Sequence, residues 1–150
     1  MAVRDRVRRR RFNGAAGDAV VTLMVTADRI ERAFEAVLQR HGITGDQYKL
    51  LHILRGAHPK GRARSEVARQ CIRRSPDLTR MLDRLARAGL VARVGDPDDH
   101  RRSVARITKA GLALLARIDP ELRAEARRLT RPLGKTQLRQ LARLCDTLGT

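Results

Sequence analysis

The run Ser75-Pro76-Asp77-Leu78-Thr79-Arg80-Met81-Leu82-Asp83-Arg84-Leu85-Ala86-Arg87-Ala88-Gly89-Leu90 carries the signals of a helix with both ends defined. Ser75 can cap it, Pro76 suits the first helical position, and Asp77 favours the positive end of the helix dipole. Gly89 supplies the left-handed residue that stops it, and Leu90 can fold back as the apolar partner. Leu78, Met81, Leu82 and Leu85 recur at i, i+3, i+4 and i+7, which makes one buried stripe. At about 100° per residue, Pro76, Arg80, Asp83 and Arg87 lie opposite that stripe, and Asp77, Thr79 and Arg84 flank it. A leucine-anchored helix with an outward face of Arg, Thr and Asp has the chemistry needed to enter a DNA major groove.

Upstream, Ser65 to about Cys71 is predicted as a shorter helix, followed by the turn Ile72-Arg73-Arg74. Downstream, Val91 to Val94 and Val104 to Ile107 are β-branched enough for two strands. Gly95 to Ser103, between them, is all turn-forming or charged. Ala63-Arg64 can add a third short strand. Two helices and a charged hairpin in this order make a winged helix-turn-helix, in which one helix reads base edges and the wing reaches the backbone or minor groove. The expected fold is mainly α with a small β-hairpin wing, the winged helix occupying about residues 44–108.

Several motifs resemble those of the MarR family of transcriptional regulators. Arg93, the run Asp96-Pro97-Asp98-Asp99-His100-Arg101, and then Ile107-Thr108-Lys109-Ala110-Gly111 are similar to its wing signature. Ser75 to Leu85 is similar to its recognition helix, and the resemblance runs from about Asp18 to the end of the chain. It implies that helices at both chain ends interleave across a two-fold axis to make a homodimer. It also implies that Arg101 is the wing-tip arginine and Asp99 the partner that supports it. In similar proteins small phenolic or aromatic acids bind between the dimer helices and the winged helix, a junction to which His41, Tyr48 and His52 fall close. The same residues are more commonly packing residues. The hydroperoxide-sensing members use a cysteine in the first helix, and Asp18 to Arg40 contains none.

The flanking helices show their own patterns. Val20, Leu23, Ala27, Ile30, Phe34, Val37 and His41 alternate steps of 3 and 4, a coiled-coil seam that needs another helix to cover it, from this subunit or a second. Thr44 and Gln47 form a capping box for a helix to Arg55 that buries Leu50, Leu51 and Leu54. After Thr108, apolar residues from Leu112 to Leu133 repeat the same stepping, with a kink or break expected near Ile118 because Pro120 removes a donor. Gly134 starts a last helix bearing Leu138, Leu141, Cys145 and Leu148 on one face. Dimerisation helices are thus expected at 18–41 and 109–149, in a single domain of 18–150 preceded by a basic flexible arm, 1–17.

The formal net charge is +17, from 33 Lys+Arg against 16 Asp+Glu. Such an excess implies a polyanion partner bound through counterion release. A bias toward arginine in the whole proteome would also produce it. No secretory or membrane-spanning segment is expected, and the chain should be cytoplasmic, with Cys71 and Cys145 as thiols. No metal-ligand spacing, phosphate loop or catalytic triad is present, so neither a cofactor nor an enzyme is expected.

Arg80 is the leading candidate for direct contact with a base, with a phosphate contact or an ion pair to Asp77 or Asp83 as the rival role. Thr79 and Asp83 are further candidates, although Asp83 can instead orient a neighbouring arginine. Arg84, Ser75 and Pro76 at the helix start, Asp77, and Arg73 and Arg74 in the turn complete the predicted DNA-binding set, with Arg101 and Arg102 at the wing. The expected function is that of a sequence-specific transcriptional regulator. It should be a repressor that binds a palindromic operator in double-stranded DNA as a homodimer and is released by a small-molecule effector. The alternative is a non-specific architectural DNA-binding protein, which needs only cations and not the mixed Thr/Asp/Arg face.

Overall fold

In the computed structural model, residues 14–70, 77–95, 99 and 102–148 are described. They form α1 (Ala15–Gln39), α2 (Gly45–Gly56), β1 (Arg62–Ala63), α3 (Arg64–Gln70), α4 (Leu78–Arg87), β2 (Val91–Gly95), β3 (Ser103–Ile107), α5 (Lys109–Thr130) and α6 (Lys135–Leu148). The described residues cluster in two compact units, one within residues 35–121 and one of residues 14–34 with 122–148. The boundary runs through α1 and α5, so the inner ends of both belong with the winged helix. Among the described residues α1 begins at Ala15, three residues inside the stretch expected as a flexible arm. Ala15 and Ala16 are strong helix formers, and Gly17 near a helix start costs little.

Within residues 35–121 the core is aliphatic. Leu50, Leu51 and Leu54 of α2, Val67 of α3, Leu85 of α4, and Leu115 and Ile118 of α5 are its fully buried side chains. The capping box at Thr44 is present in full: Thr44 Oγ1 accepts from the Gln47 N–H and Gln47 Oε1 accepts from the Thr44 N–H. The sheet is antiparallel in the order β1-β3-β2, with Val91 opposite Ile107 and Arg93 opposite Ala105. Arg62 and Ala63 add the third strand, one residue earlier than expected.

The α4 helix ends as its sequence dictates. Gly89 takes φ +74°, the Leu90 N–H reaches the Leu85 carbonyl at 2.9 Å and the Gly89 N–H reaches that of Ala86 at 3.0 Å. This is the paired bonding of a Schellman motif. Its start differs from expectation. The cap position falls at Asp77, whose side chain makes no capping hydrogen bond, and Ser75 and Pro76 lie outside the described residues.

Of the kink or break expected near Ile118, the break is absent: α5 runs unbroken from Lys109 to Thr130 with Pro120 inside it. Pro120 removes a single N–H donor. Ile118 and Leu122 are buried on either side of it, and Asp119 and Glu121 are both tied to residues outside α5, so tertiary interactions hold the helix across the missing bond.

The other unit has a different surface. In α1, Val20, Leu23, Met24 and Ile30 are exposed, and so are Leu141, Leu144 and Leu148 of α6, with Met24 and Leu148 each about two-thirds accessible. No residue of α6 is buried. This part of the predicted seam is therefore not covered within the described chain.

Candidate nucleic-acid interface

The leucine stripe of α4 positions the residues opposite it. Leu78, Leu82 and Leu85 are buried, while Thr79, Arg80, Arg84 and Arg87 are exposed. The Arg80 side chain is 78% accessible and makes the anticipated ion pair with Asp77 only at long range, its Nε 3.8 Å from Asp77 Oδ1, beyond hydrogen-bond distance. Its guanidinium is therefore largely available. Beside it, Thr44, Asp46 and Gln47 at the start of α2 and Arg80, Met81 and Arg84 line an open cleft of about 260 Å³.

Asp83 is placed differently from Arg80. Its carboxylate meets Arg93 Nη2 of β2 at 3.0 Å, both side chains 40% accessible. Of the two roles open to Asp83, base contact or arginine partner, the geometry supplies the second: the pair joins α4 to the first wing strand. Sequence inspection also missed Arg64, the first residue of α3, whose Nη1 donates to Thr79 Oγ1 at 3.4 Å. The separation of fifteen residues hides this bond from any helical-periodicity rule.

A second joint fixes the wing. The Thr108 hydroxyl donates to the Gly89 carbonyl at 2.7 Å and accepts from the Gly111 N–H at 3.1 Å, while the Thr108 N–H donates to the Leu90 carbonyl at 3.1 Å. Three elements thus meet at one residue: the end of α4, the end of β3 and the start of α5. Gly111 is required here because a Cβ would stand 2.4 Å from the Leu90 oxygen. The Ile107-Thr108-x-x-Gly111 spacing follows from that close approach.

Of the wing residues, Arg102 is exposed, and its N–H donates to the Asp99 carbonyl at 2.9 Å. Asp99 is exposed as well. Arg73, Arg74, Ser75, Pro76 and Arg101 lie outside the described residues.

The three residues considered for an effector surround two carboxylates of α5. The Tyr48 hydroxyl donates to Asp119 Oδ1 at 2.8 Å, His52 Nε2 lies 3.1 Å from the same oxygen, and Arg55 Nη1 lies 2.8 Å from Oδ2. Arg55 Nη2 is also 2.8 Å from His52 Nδ1. A guanidinium can only donate, so Nδ1 accepts and Nε2 carries the proton toward Asp119. The Tyr48 and His52 rings meet edge-to-face at 4.4 Å. Burial pushes the Asp119 carboxyl up, but the hydrogen bonds from Arg55, Tyr48 and His52 outweigh it and hold the group below the usual carboxylate range. Arg40 Nη2 and His41 Nε2 each reach Glu121 at 2.9 Å and lower its pKa in turn.

A helix with an exposed arginine face, packed on a three-stranded sheet whose hairpin is braced to it, defines a winged-helix DNA-binding protein. Residues 43–111 match the family model described as a winged helix DNA-binding domain. The chain belongs to the MarR family of transcriptional regulators. It is 32% identical to a MarR transcription factor from Planctomyces limnophilus, over 91% of this chain and 99% of that one, with a TM-score of 0.70. It is similar to Escherichia coli MarR in a variant complexed with operator DNA, at 25% identity over 84% of this chain and 89% of that one and a TM-score of 0.74. It is also 28% identical, over 84% of both chains, to the homoprotocatechuate degradative operon repressor of Escherichia coli. Family and fold are those of DNA-binding transcription regulators rather than of enzymes. Among the described residues no helix is long and apolar enough to cross a membrane.

Proposed function

We propose that this chain is a homodimeric repressor of a palindromic operator, released by a small phenolic or aromatic acid. The observation that carries the dimer is the pair of uncovered apolar faces on α1 and α6. Leaving Leu141, Leu144 and Leu148 in water forfeits burial worth about 25 cal/mol per Å², and a second copy would cover them. Two copies related by a two-fold axis would present two α4 helices about one DNA turn apart, which suits an inverted repeat.

In this reading Arg80 contacts a base, most naturally guanine through two parallel bonds, and Thr79 contacts a neighbouring edge. Arg84, Arg73, Arg74 and the start of α4 at Ser75, Pro76 and Asp77 hold phosphate. Arg101 and Arg102 carry the wing, with Asp99 in support. Arg64 joins the set: its donated bond occupies a lone pair of Thr79 Oγ1 and leaves the Thr79 proton free for a base acceptor. Asp83 and Arg93 position the wing rather than touch bases. The cytoplasm is the compartment where such a regulator meets DNA. An effector at His41, Tyr48 and His52 would act by loosening their ties to Asp119 and Glu121, shifting the population competent for DNA. The relative that represses a homoprotocatechuate degradative operon supports an effector of this chemical class.

Footprinting on DNA flanking the chain's own gene, with sedimentation of the free protein, tests the proposal. A protected inverted repeat and a dimer are expected, and protection should weaken when phenolic acids are added. Uniform protection of unrelated DNA, or a monomer, would overturn it. Arg80→Ala should weaken operator binding by about 1–3 kcal/mol and relax preference at one position of each half-site. Asp83→Asn should weaken operator binding less, through faster dissociation, and combining it with Arg93→Gln should add little, because paired residues are not additive. Full additivity in that cycle would show that the two side chains act separately.

A further inference from the structure

From residue 123 to residue 143 every fourth residue is a cation: Arg123 and Arg127 on α5, Arg131 in the turn after it, and Lys135, Arg139 and Arg143 on one face of α6. All six are exposed. Among the described residues none of their side chains makes an ion pair or hydrogen bond, whereas the off-register Arg128 is paired with Glu125 at 2.8 Å. On α6 the row Lys135, Arg139 and Arg143 lies opposite the uncovered Leu141, Leu144 and Leu148, about 180° away at 100° per residue. A partner covering the leucines would leave this row facing solvent. On α5, Arg123 and Arg127 likewise point away from the buried Ile118 and Leu122.

Like charges at i and i+4 destabilise a helix, and an ordinary solvated face would interleave glutamates. Here the 122–148 segment carries seven cations against only Glu125 and Asp146. An array of this kind gains free energy only when a polyanion neutralises it and releases counterions. Five of the six cations in the row are arginines, whose planar fork suits phosphate.

We propose that the cationic face of α6, Lys135, Arg139 and Arg143, is a second DNA-contacting surface, separate from the winged helix, which takes the phosphate backbone of duplex DNA beyond the operator segment. The duplex is either the flank of the same DNA or a second molecule. The row lies in the compact unit that does not contain α4, so its contribution is separable from that of Arg80.

The test compares the full chain with the triple variant Lys135→Gln/Arg139→Gln/Arg143→Gln, and with Arg139→Lys/Arg143→Lys as the charge-preserving control. Affinity is measured across a salt series on a duplex trimmed to the footprint and on one extended at both ends. On the extended duplex the triple variant should show a salt slope shallower by about 0.9 for each phosphate left without its cation, up to about 2.7 for three, and the lysine control should keep the slope. On the trimmed duplex the triple variant should match wild type, whereas Arg80→Ala should lose affinity there. In a second arm, immobilised operator with protein captures a labelled unrelated duplex. Loss of capture in the triple variant assigns the row to a second molecule, and loss of slope without loss of capture assigns it to the flank. A triple variant that equals wild type in both arms, or that weakens equally on the trimmed duplex, overturns the proposal. Unchanged sedimentation and circular dichroism separate these outcomes from misfolding.

Discussion

Gly111→Val lowers the stability of the chain by about 3 kcal/mol, the upper end of the usual cost of forcing atoms into a packed site. The new Cβ would lie 2.4 Å from the Leu90 oxygen and 2.7 Å from Ile107 Cγ1. The isoleucine could give way, but the carbonyl cannot move freely. It already accepts the Thr108 N–H, and the Leu90 N–H closes the α4 helix. Any shift that relieves the clash therefore opens the joint between α4, β3 and α5. Urea unfolding followed by circular dichroism measures the loss, and operator affinity should fall with it because the wing and the groove helix are then without their common anchor. Gly56→Ala is the control: nothing lies within 4 Å of its Cβ, and the change should be neutral or stabilising by up to about 1 kcal/mol. Equal stability of Gly111→Val and wild type would mean that the joint does not constrain the fold.

Asp119→Ala should cost about 2 kcal/mol at neutral pH, since it leaves the Tyr48 hydroxyl, the His52 N–H and the Arg55 guanidinium without their acceptor in a half-buried setting. The Asp119 side chain is 15% accessible while His52 and Arg55 are 31% and 40% accessible, so the loss is that of a partly desolvated cluster, intermediate between a buried and a surface pair. The pH dependence follows from the direction of its shift. The folded carboxyl titrates below its unfolded value of 3.8. Its stabilisation is fully present above that value and disappears as pH falls through the lower, folded one. The stability gap between wild type and Asp119→Ala should therefore be largest near neutrality and close in strong acid. A gap of constant size from neutral pH to below about pH 3 would show that shape, not charge, makes the contribution.

Asp119 also marks the limit of what local sequence patterns encode. Periodicity places Tyr48 and His52 near a junction, but their partner lies 71 and 67 residues away beside a proline that predicts a broken helix. Local rules see residues three or four apart. The interactions that carry α5 past Pro120 come from α2 and from the turn after α1. The same limit hides the reach of Arg64 to Thr79, and leaves two roles open for Asp83 until Arg93 is seen against it.

What the sequence determined by itself was everything written in short-range chemistry: the Thr44–Gln47 cap, the leucine stripe of α4, its stop at Gly89, the β-branched strands β2 and β3, and the net charge of +17. These depend on backbone bonding and burial period, which neighbours in the chain encode. Tertiary structure alone decided that α5 stays whole past Pro120, that Asp83 pairs with Arg93 of the wing, and that the apolar faces of α1 and α6 are left uncovered among the described residues. Each of those depends on which distant groups meet, and on how much free energy their meeting recovers from water.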